Sequence, residues 1–395
     1  MNKYIQDFIR NNSREIFKGM TIPQKKAINE ILRGLFTAKT PVLRHLAQHS
    51  KKTAKKQGEK YSHHLGHVSL KEDIEEFALK KVKQDIKKNT IIAYDLSDIN
   101  KERARKMDKI SRVFDGSKRR ITNGFILHGL GVNTIPLKLE VHDGEVNTTN
   151  QIRRRTVEKY SKTFKRKGIW VFDRGNDDKA FFKDLRHNFK VQFITRLKSN
   201  RQVVVRKTGV IIKVAELPPG RYQVYLMNKY NTKVDLRYKY TLIIKNIEKN
   251  LKRKQPIRLL CYLKDSFSIN QIINFYLERW GIENSFKRAK QKFNLEKIRV
   301  LNHQKFVNLV SIIQLAVILS IIMFLQIQGT TLSVIFGVLI SYKKFLQLKN
   351  LSFNLDSYIS FLQFTLKPIQ FHSQKDPPKQ PSLFSERVLR KVGSF

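Results

Sequence analysis

Residues 270–293, NQIINFYLERWGIENSFKRAKQKF, decide how the rest of the chain is read. Taken as one helix at about 100° per residue, Tyr276, Arg279, Glu283 and Lys290 fall at roughly 0°, 300°, 340° and 320°. Four side chains able to do chemistry therefore share one narrow arc. Beside that arc runs an apolar stripe of Phe275, Ile282, Phe286, Ala289 and Phe293, which seats the helix on a core. Glu278, Arg288 and Lys292 occupy the opposite, solvent-facing side. Gly281 lies mid-helix, where it costs about 1 kcal/mol against Ala, and leaves backbone room beside Glu283 and Trp280. A carboxylate and cations at the edge of a buried stripe suit a polyanionic substrate. They also suit an ordinary amphipathic helix with a chance cluster.

Working outward, the chain has 395 residues, enough for two or three domains. Its 78 Lys and Arg outweigh 32 Asp and Glu, a net charge of +46 that marks nucleic acid as the favoured partner. The single Cys261 excludes a disulfide framework or a cysteine zinc site within the chain and fits a reducing cytoplasm. The first residues, MNKYIQDFIRNNSREIFKG, contain no signal-peptide apolar core. Residues 309–325, LVSIIQLAVILSIIMFL, reach the lower limit of a membrane span, but Gln314 and two serines fit the central helix of a large soluble core better.

Upstream of the helix, residues 90–98, TIIAYDLSD, form an apolar β-rich run ending at Asp95, with Asp98 as the alternative acid or a cap. Strands follow at 123–132 and 134–143, joined by a tight turn at Asn133, and then a basic helix over 151–167. GIWVFD (168–173) reads as a buried strand delivering Asp173 to a sheet edge, with Asn176 or Asp177 capping the next helix and Asp177 and Asp178 as capping and dipole residues rather than ligands. A strand at 190–198 and a strand-rich stretch over 200–264, turned at Pro218-Pro219-Gly220, complete this part. Residues 1–88 read as helical: TIPQKKAINEILRGLFTA, a short helix with Thr40 as N-cap and Pro41 at its first position, then a basic helix containing His63, His64 and His67. That order matches a helix-turn-helix DNA reader. With no acid or cysteine beside them, the three histidines read as solvated or DNA-facing rather than metal-binding.

The spacing Tyr-x2-Arg-x3-Glu-x6-Lys, inside YLERWGIENSFKRAK, resembles the YREK signature of DDE transposases from bacterial insertion sequences. "VFDRG" followed by "FITRLK" is similar to the same family. The resemblance implies an α/β fold: a ribonuclease-H-like mixed sheet with flanking helices, interrupted by a β-rich insertion and preceded by a helical DNA-binding domain. The implied division is 1–88 DNA-binding, 89–199 first part of the core, 200–264 insertion, 265–330 second part of the core, and 331–395 a C-terminal helical region and tail with a role in dimerisation. It further implies Asp95, Asp173 and Glu283 as catalytic carboxylates holding two Mg²⁺ ions, with Mn²⁺ as a substitute. Tyr276, Arg279 and Lys290 are implied to bind DNA phosphates. Trp280 offers a flat face for a displaced base, or fills core. The expected activity is cut-and-paste transposition by a homodimer acting on element ends and target DNA, in a bacterial, nucleoid-associated, cytoplasmic setting. A decayed, non-catalytic DNA-binding repressor and a basic single-span membrane protein are the competing readings.

Overall fold

The computed structural model describes residues 2–50, 52–227, 234–249, 253–329 and 333–366. Five helices come first: α1 Asn2–Ser13, α2 Ile22–Ala38, α3 Leu43–Leu46, α4 Ala54–Gly66 and α5 Lys71–Val82. Thr21 caps α2 in a reciprocal box with Gln24. Thr40 does not cap α3 as the sequence suggests. Pro41 keeps the chain extended, Val42 is the N-cap residue, and the Thr40 hydroxyl accepts from the Val42 amide instead.

The strands β1 Ile91–Asn100, β2 Ser111–Asp115, β3 Arg120–Val132 and β4 Ile135–Val141 follow. Next come α6 Thr149–Thr163, β5 Ile169–Phe172, α7 Lys179–His187 and β6 Gln192–Arg196. β1, β5 and β6 are parallel neighbours, while β3 runs antiparallel to β1 and β4 antiparallel to β3. The order β4-β3-β1-β5-β6 fits a ribonuclease-H-like core. The strand-rich stretch supplies β7 Gln202–Val205, β8 Ile211–Lys213, β9 Gly220–Leu226, β10 Tyr240–Lys249 and β11 Arg253–Tyr262. β11 pairs with β6, so this stretch extends the core sheet instead of standing apart.

The middle strands are buried on both sides, and their alternation sorts side chains between two faces. Ile92, Tyr94, Trp170, Phe172 and Phe193 pack on one face, and Ile91, Ile169, Val171 and Ile194 on the other. Two helices follow β11, α8 Ile269–Leu277 and α9 Trp280–Gln291. α8 lays Ile272, Ile273 and Tyr276 on the second face, whereas α9 lays Ile282, Phe286 and Ala289 on the first. The single helix expected over 270–293 is therefore two. Around Glu278 and Arg279 the backbone bonds tighten to i→i−3, Gly281 N–H to Glu278 O and Ile282 N–H to Arg279 O, and the chain steps across the sheet edge.

α10 His303–Gly329 is the expected long apolar helix; 89 % of its apolar window is buried inside this fold. It packs on β4, α2, α4, α5 and α12. Asn308 accepts from Leu70 N–H and donates to the Leu65 and Val68 carbonyls, tying the N-terminal helices to the core. Gln314 accepts from Leu139 N–H and donates to Pro136 O. α11 Ser333–Lys349 and α12 Leu355–Thr365 complete the described chain, and the tail from residue 367 lies outside it.

Candidate active site

β1 and β5 run side by side in register, with Tyr94 opposite Phe172 as the last pair. One step further, at the C-terminal ends of both strands, stand Asp95 and Asp173. Strand ends of this kind are where open α/β sheets place their ligands. The break between α8 and α9 passes over the same point and brings Arg279 and Glu283. Arg279 Nη1 lies 2.5 Å from Asp95 Oδ2 and 2.6 Å from Glu283 Oε1, so those two oxygens are within about 5 Å of each other. Arg279 Nη2 is 4.0 Å from Asp173 Oδ1. Three carboxylates from three separate elements thus surround one guanidinium.

Asp95 forms the floor of the site and the other two its mouth: their side chains are 13 %, 40 % and 44 % exposed for Asp95, Asp173 and Glu283. Burial pushes Asp95 up to about 7; Arg279 pulls it down, Asp173 and Glu283 push it up, and the Leu96 amide donates to Oδ1. A site with this surplus of negative charge calls for more cation than one arginine supplies. Tyr276, raised to about 12 mainly by burial, keeps its proton and donates to Asp173 Oδ1 at 3.2 Å.

Asp98 cannot exchange roles with Asp95. Three residues apart on a strand, they point to opposite faces. Asp98 sits instead 3.2 Å from Lys290 Nζ, which also lies 3.6 Å from Glu296 Oε1. Tyr276, Arg279 and Lys290 therefore all contact acids here, where the signature implies phosphates. Trp280 is 53 % exposed, which removes the core-filling alternative. Asp177 is buried and held by Arg201 and the Lys198 amide, so the cap of α7 falls to Asp178, whose side chain accepts from Ala180 and Phe181 N–H. His63 meets His64 edge-on and His67 at a tilt, at the C-terminal end of α4.

Two features had no sequence signal. One is the approach of α9 to the β3–β4 turn: a Cβ on Gly281 would lie 2.3 Å from the Asn133 carbonyl oxygen. The other is a cavity of about 790 Å³ beside Asp98 and Lys290, lined by Lys101, Lys118, Lys297 and Arg299 and also by Glu102, Asp115 and Glu296.

The family model described as Transposase DDE domain matches residues 86–319, more than half of the chain. The chain belongs to that family. Membership implies a protein that acts on DNA. The matched span contains Asp95, Asp173 and Glu283, every core strand and most of α10. Among curated proteins none matches the sequence. DDE transposases generally use divalent metals, and the donors present fit such an ion. All are hard carboxylate oxygens, they converge at the strand ends, and they already hold a cation. Among the described residues no three acidic, His or Cys side chains are gathered at ligand distance as they stand. Arg279 occupies the space between the candidate three.

Proposed function

We propose that the chain is a cut-and-paste transposase of the insertion-sequence class, with Asp95, Asp173 and Glu283 as its catalytic carboxylates. The observation that carries this reading is the convergence of three acids, 78 and 110 positions apart in sequence, on one guanidinium at the ends of two parallel strands. Asp95, the most buried, would hold the Mg²⁺ ions together with Asp173 and Glu283. When bound, the ions supply Lewis-acid activation of the attacking oxygen and stabilisation of the leaving one.

The chain's own residues do the rest. Tyr276 orients Asp173 through its hydroxyl. Arg279 neutralises the acids in the structure described here and is a phosphate ligand once cations replace it there. Lys290 lines the neighbouring groove and continues the phosphate path. Trp280 offers an exposed ring at the mouth, suited to stacking a base drawn out of the duplex. Element-end recognition falls to α2–α4, with Lys55, Lys56 and His63 exposed on α4. The active form is a homodimer holding both ends, and the reaction is hydrolysis at the ends followed by attack of the freed 3′-hydroxyl on target DNA.

The test is incubation of the purified chain with a supercoiled plasmid carrying its element. In Mg²⁺ or Mn²⁺, excised element and products joined to a second plasmid are expected. Specific binding of the ends with no cutting in either metal would leave the repressor reading standing instead.

A further inference from the structure

The hairpin formed by β2 and β3, SRVFDGSKRRIT over residues 111–122, plays no part in the chemistry above. Its register places Phe114 directly opposite Ile121. Both are exposed, 62 % and 61 %, while their neighbours Val113 and Asp115 are buried. An apolar cross-strand pair left open to water needs an explanation. Asp115 Oδ1 accepts from Ser117 N–H and Oγ and from Lys118 N–H, and Asn100 at the end of β1 donates to Asp115 Oδ2. The ribbon is therefore braced against the strand that carries Asp95.

Around the apolar pair stand Arg112, Lys118, Arg119 and Arg120. Lys118 and Arg120 share Glu102, whereas Arg112 and Arg119 form no ion pair among the described residues. The groove lined by Lys101, Arg103, Lys297 and Arg299, with the acids Asp98, Glu102 and Glu296 among them, is shared by this hairpin through Asp115, Ser117 and Lys118 and by α9 through Lys290. Distance follows from register. Gly129 pairs with Asp95, and Ile121 lies eight residues further along β3, about 26 Å at a strand rise of about 3.3 Å. That length corresponds to seven or eight base pairs of duplex at about 3.4 Å each.

We propose that the β2–β3 hairpin binds target DNA, contacting the duplex about seven base pairs from the scissile phosphate with Phe114 and Ile121 as an apolar wedge flanked by phosphate-binding arginines. The duplex is favoured over a protein partner by the surrounding cations, two of which, Arg112 and Arg119, form no ion pair among the described residues. Target is favoured over element end by the absence of a base code: Phe114 and Ile121 have no hydrogen-bonding groups, and charge on phosphates reads no sequence. An element end is constant, whereas a target changes with each insertion. The assignment of target rests on the transposase reading; DNA contact by the hairpin does not.

The test uses the full chain with two double substitutions and fluorescein-labelled duplexes, one of random sequence and one carrying the element end. Phe114→Ser with Ile121→Ser, both at exposed positions, should weaken the random duplex about tenfold with the salt slope unchanged. Arg112→Ala with Arg119→Ala should make that slope shallower by about two. Element-end binding should change less than twofold. As a direct probe, Phe114→Cys carrying a photoreactive maleimide should crosslink to the random duplex, because Cys261 is buried and stays unlabelled. Unchanged affinity without a crosslink overturns the proposal. So does equal loss on both duplexes, which removes the target assignment, or altered sedimentation with DNA binding intact, which makes the hairpin a protein interface. Wild-type cleavage of the element end is followed in parallel, so failure of the transposase reading shows separately.

Discussion

Gly281→Ala sets two effects of opposite sign against each other. In an exposed helix the change would stabilise by about 1 kcal/mol, because alanine is the better helix former. Here the new methyl would lie 2.3 Å from the Asn133 carbonyl oxygen, and no flexible side chain can give way, since both partners are backbone. Asn133 is fixed in a two-residue turn with φ 54° between the paired Val132 and Ile135. α9 is pinned from below by Phe286 and Ile282 against Gly129 and Gly131. About 1 Å of separation must be found, and overpacking of this kind costs about 1–3 kcal/mol. The clash wins, leaving a net loss of up to about 2 kcal/mol in urea unfolding. Glu283 is two residues along the displaced helix, and for the catalytic role proposed for it a shift near 1 Å is worth about 10²-fold in rate. Cleavage should fall accordingly while element-end binding is kept. Gly19→Ala, where a Cβ meets nothing within 4 Å, serves as control. A Gly281→Ala protein about 1 kcal/mol more stable than wild type, cutting at the wild-type rate, would refute the close approach and its hold on Glu283.

Three further predictions follow the same logic. Arg279→Met should destabilise by about 3 kcal/mol by leaving the buried Asp95 carboxylate without its cation, and millimolar Mg²⁺ should raise its melting temperature more than that of wild type; equal shifts would mean the acids do not share a cation site. Burial, and then the neighbouring His142, hold His128 down at about 3, so the unfolded chain takes a proton below about 6.5 that the fold refuses. Stability present above that pH should fall by about 1.4 kcal/mol per unit as pH drops from 6.5 towards 3, and a His128→Gln protein with an equally steep fall would rule this out. Asn308→Leu should leave Leu70 N–H and the Leu65 carbonyl without their Asn308 partner at about 1–3 kcal/mol each, while Val68 O keeps Gln304, with hydrogen-exchange protection lost first in α4 and α5; uniform loss across the chain would contradict a local tether.

The strand ends and the helix that carry the candidate acids were legible because each rests on a local pattern. Asp95 and Asp173 each close a run of buried β residues, and the spacing of Tyr276, Arg279, Glu283 and Lys290 survives the break in their helix. What escaped the sequence depends on contacts between distant segments. Helical periodicity runs unbroken through Glu278, and only the need to cover both faces of the sheet explains the step there. The β2–β3 hairpin was hidden because its outward face carries Phe114 and Ile121, which inverts the usual polar-out alternation. Of Asp177 and Asp178, both read as capping or dipole residues, only Asp178 caps α7, because Arg201, from beyond β6, claims Asp177. Arg279 could be read as a cation near an acid, but its place among three acids requires β1, β5 and the α8–α9 step together.

The central claim is that Asp173 is a catalytic carboxylate rather than a structural one, and Asp173→Asn tests it most directly. The substitution keeps size and one acceptor for the Tyr276 hydroxyl but removes the charge that would hold a hard cation. Element-end binding without metal should be unchanged or slightly tighter, since one negative charge near the phosphates has gone. Cleavage in Mg²⁺ should fall by about 10³-fold or more, the several kcal/mol a catalytic metal supplies. A protein with Asp173→Asn that cuts as fast as wild type in Mg²⁺ would contradict the active site described here.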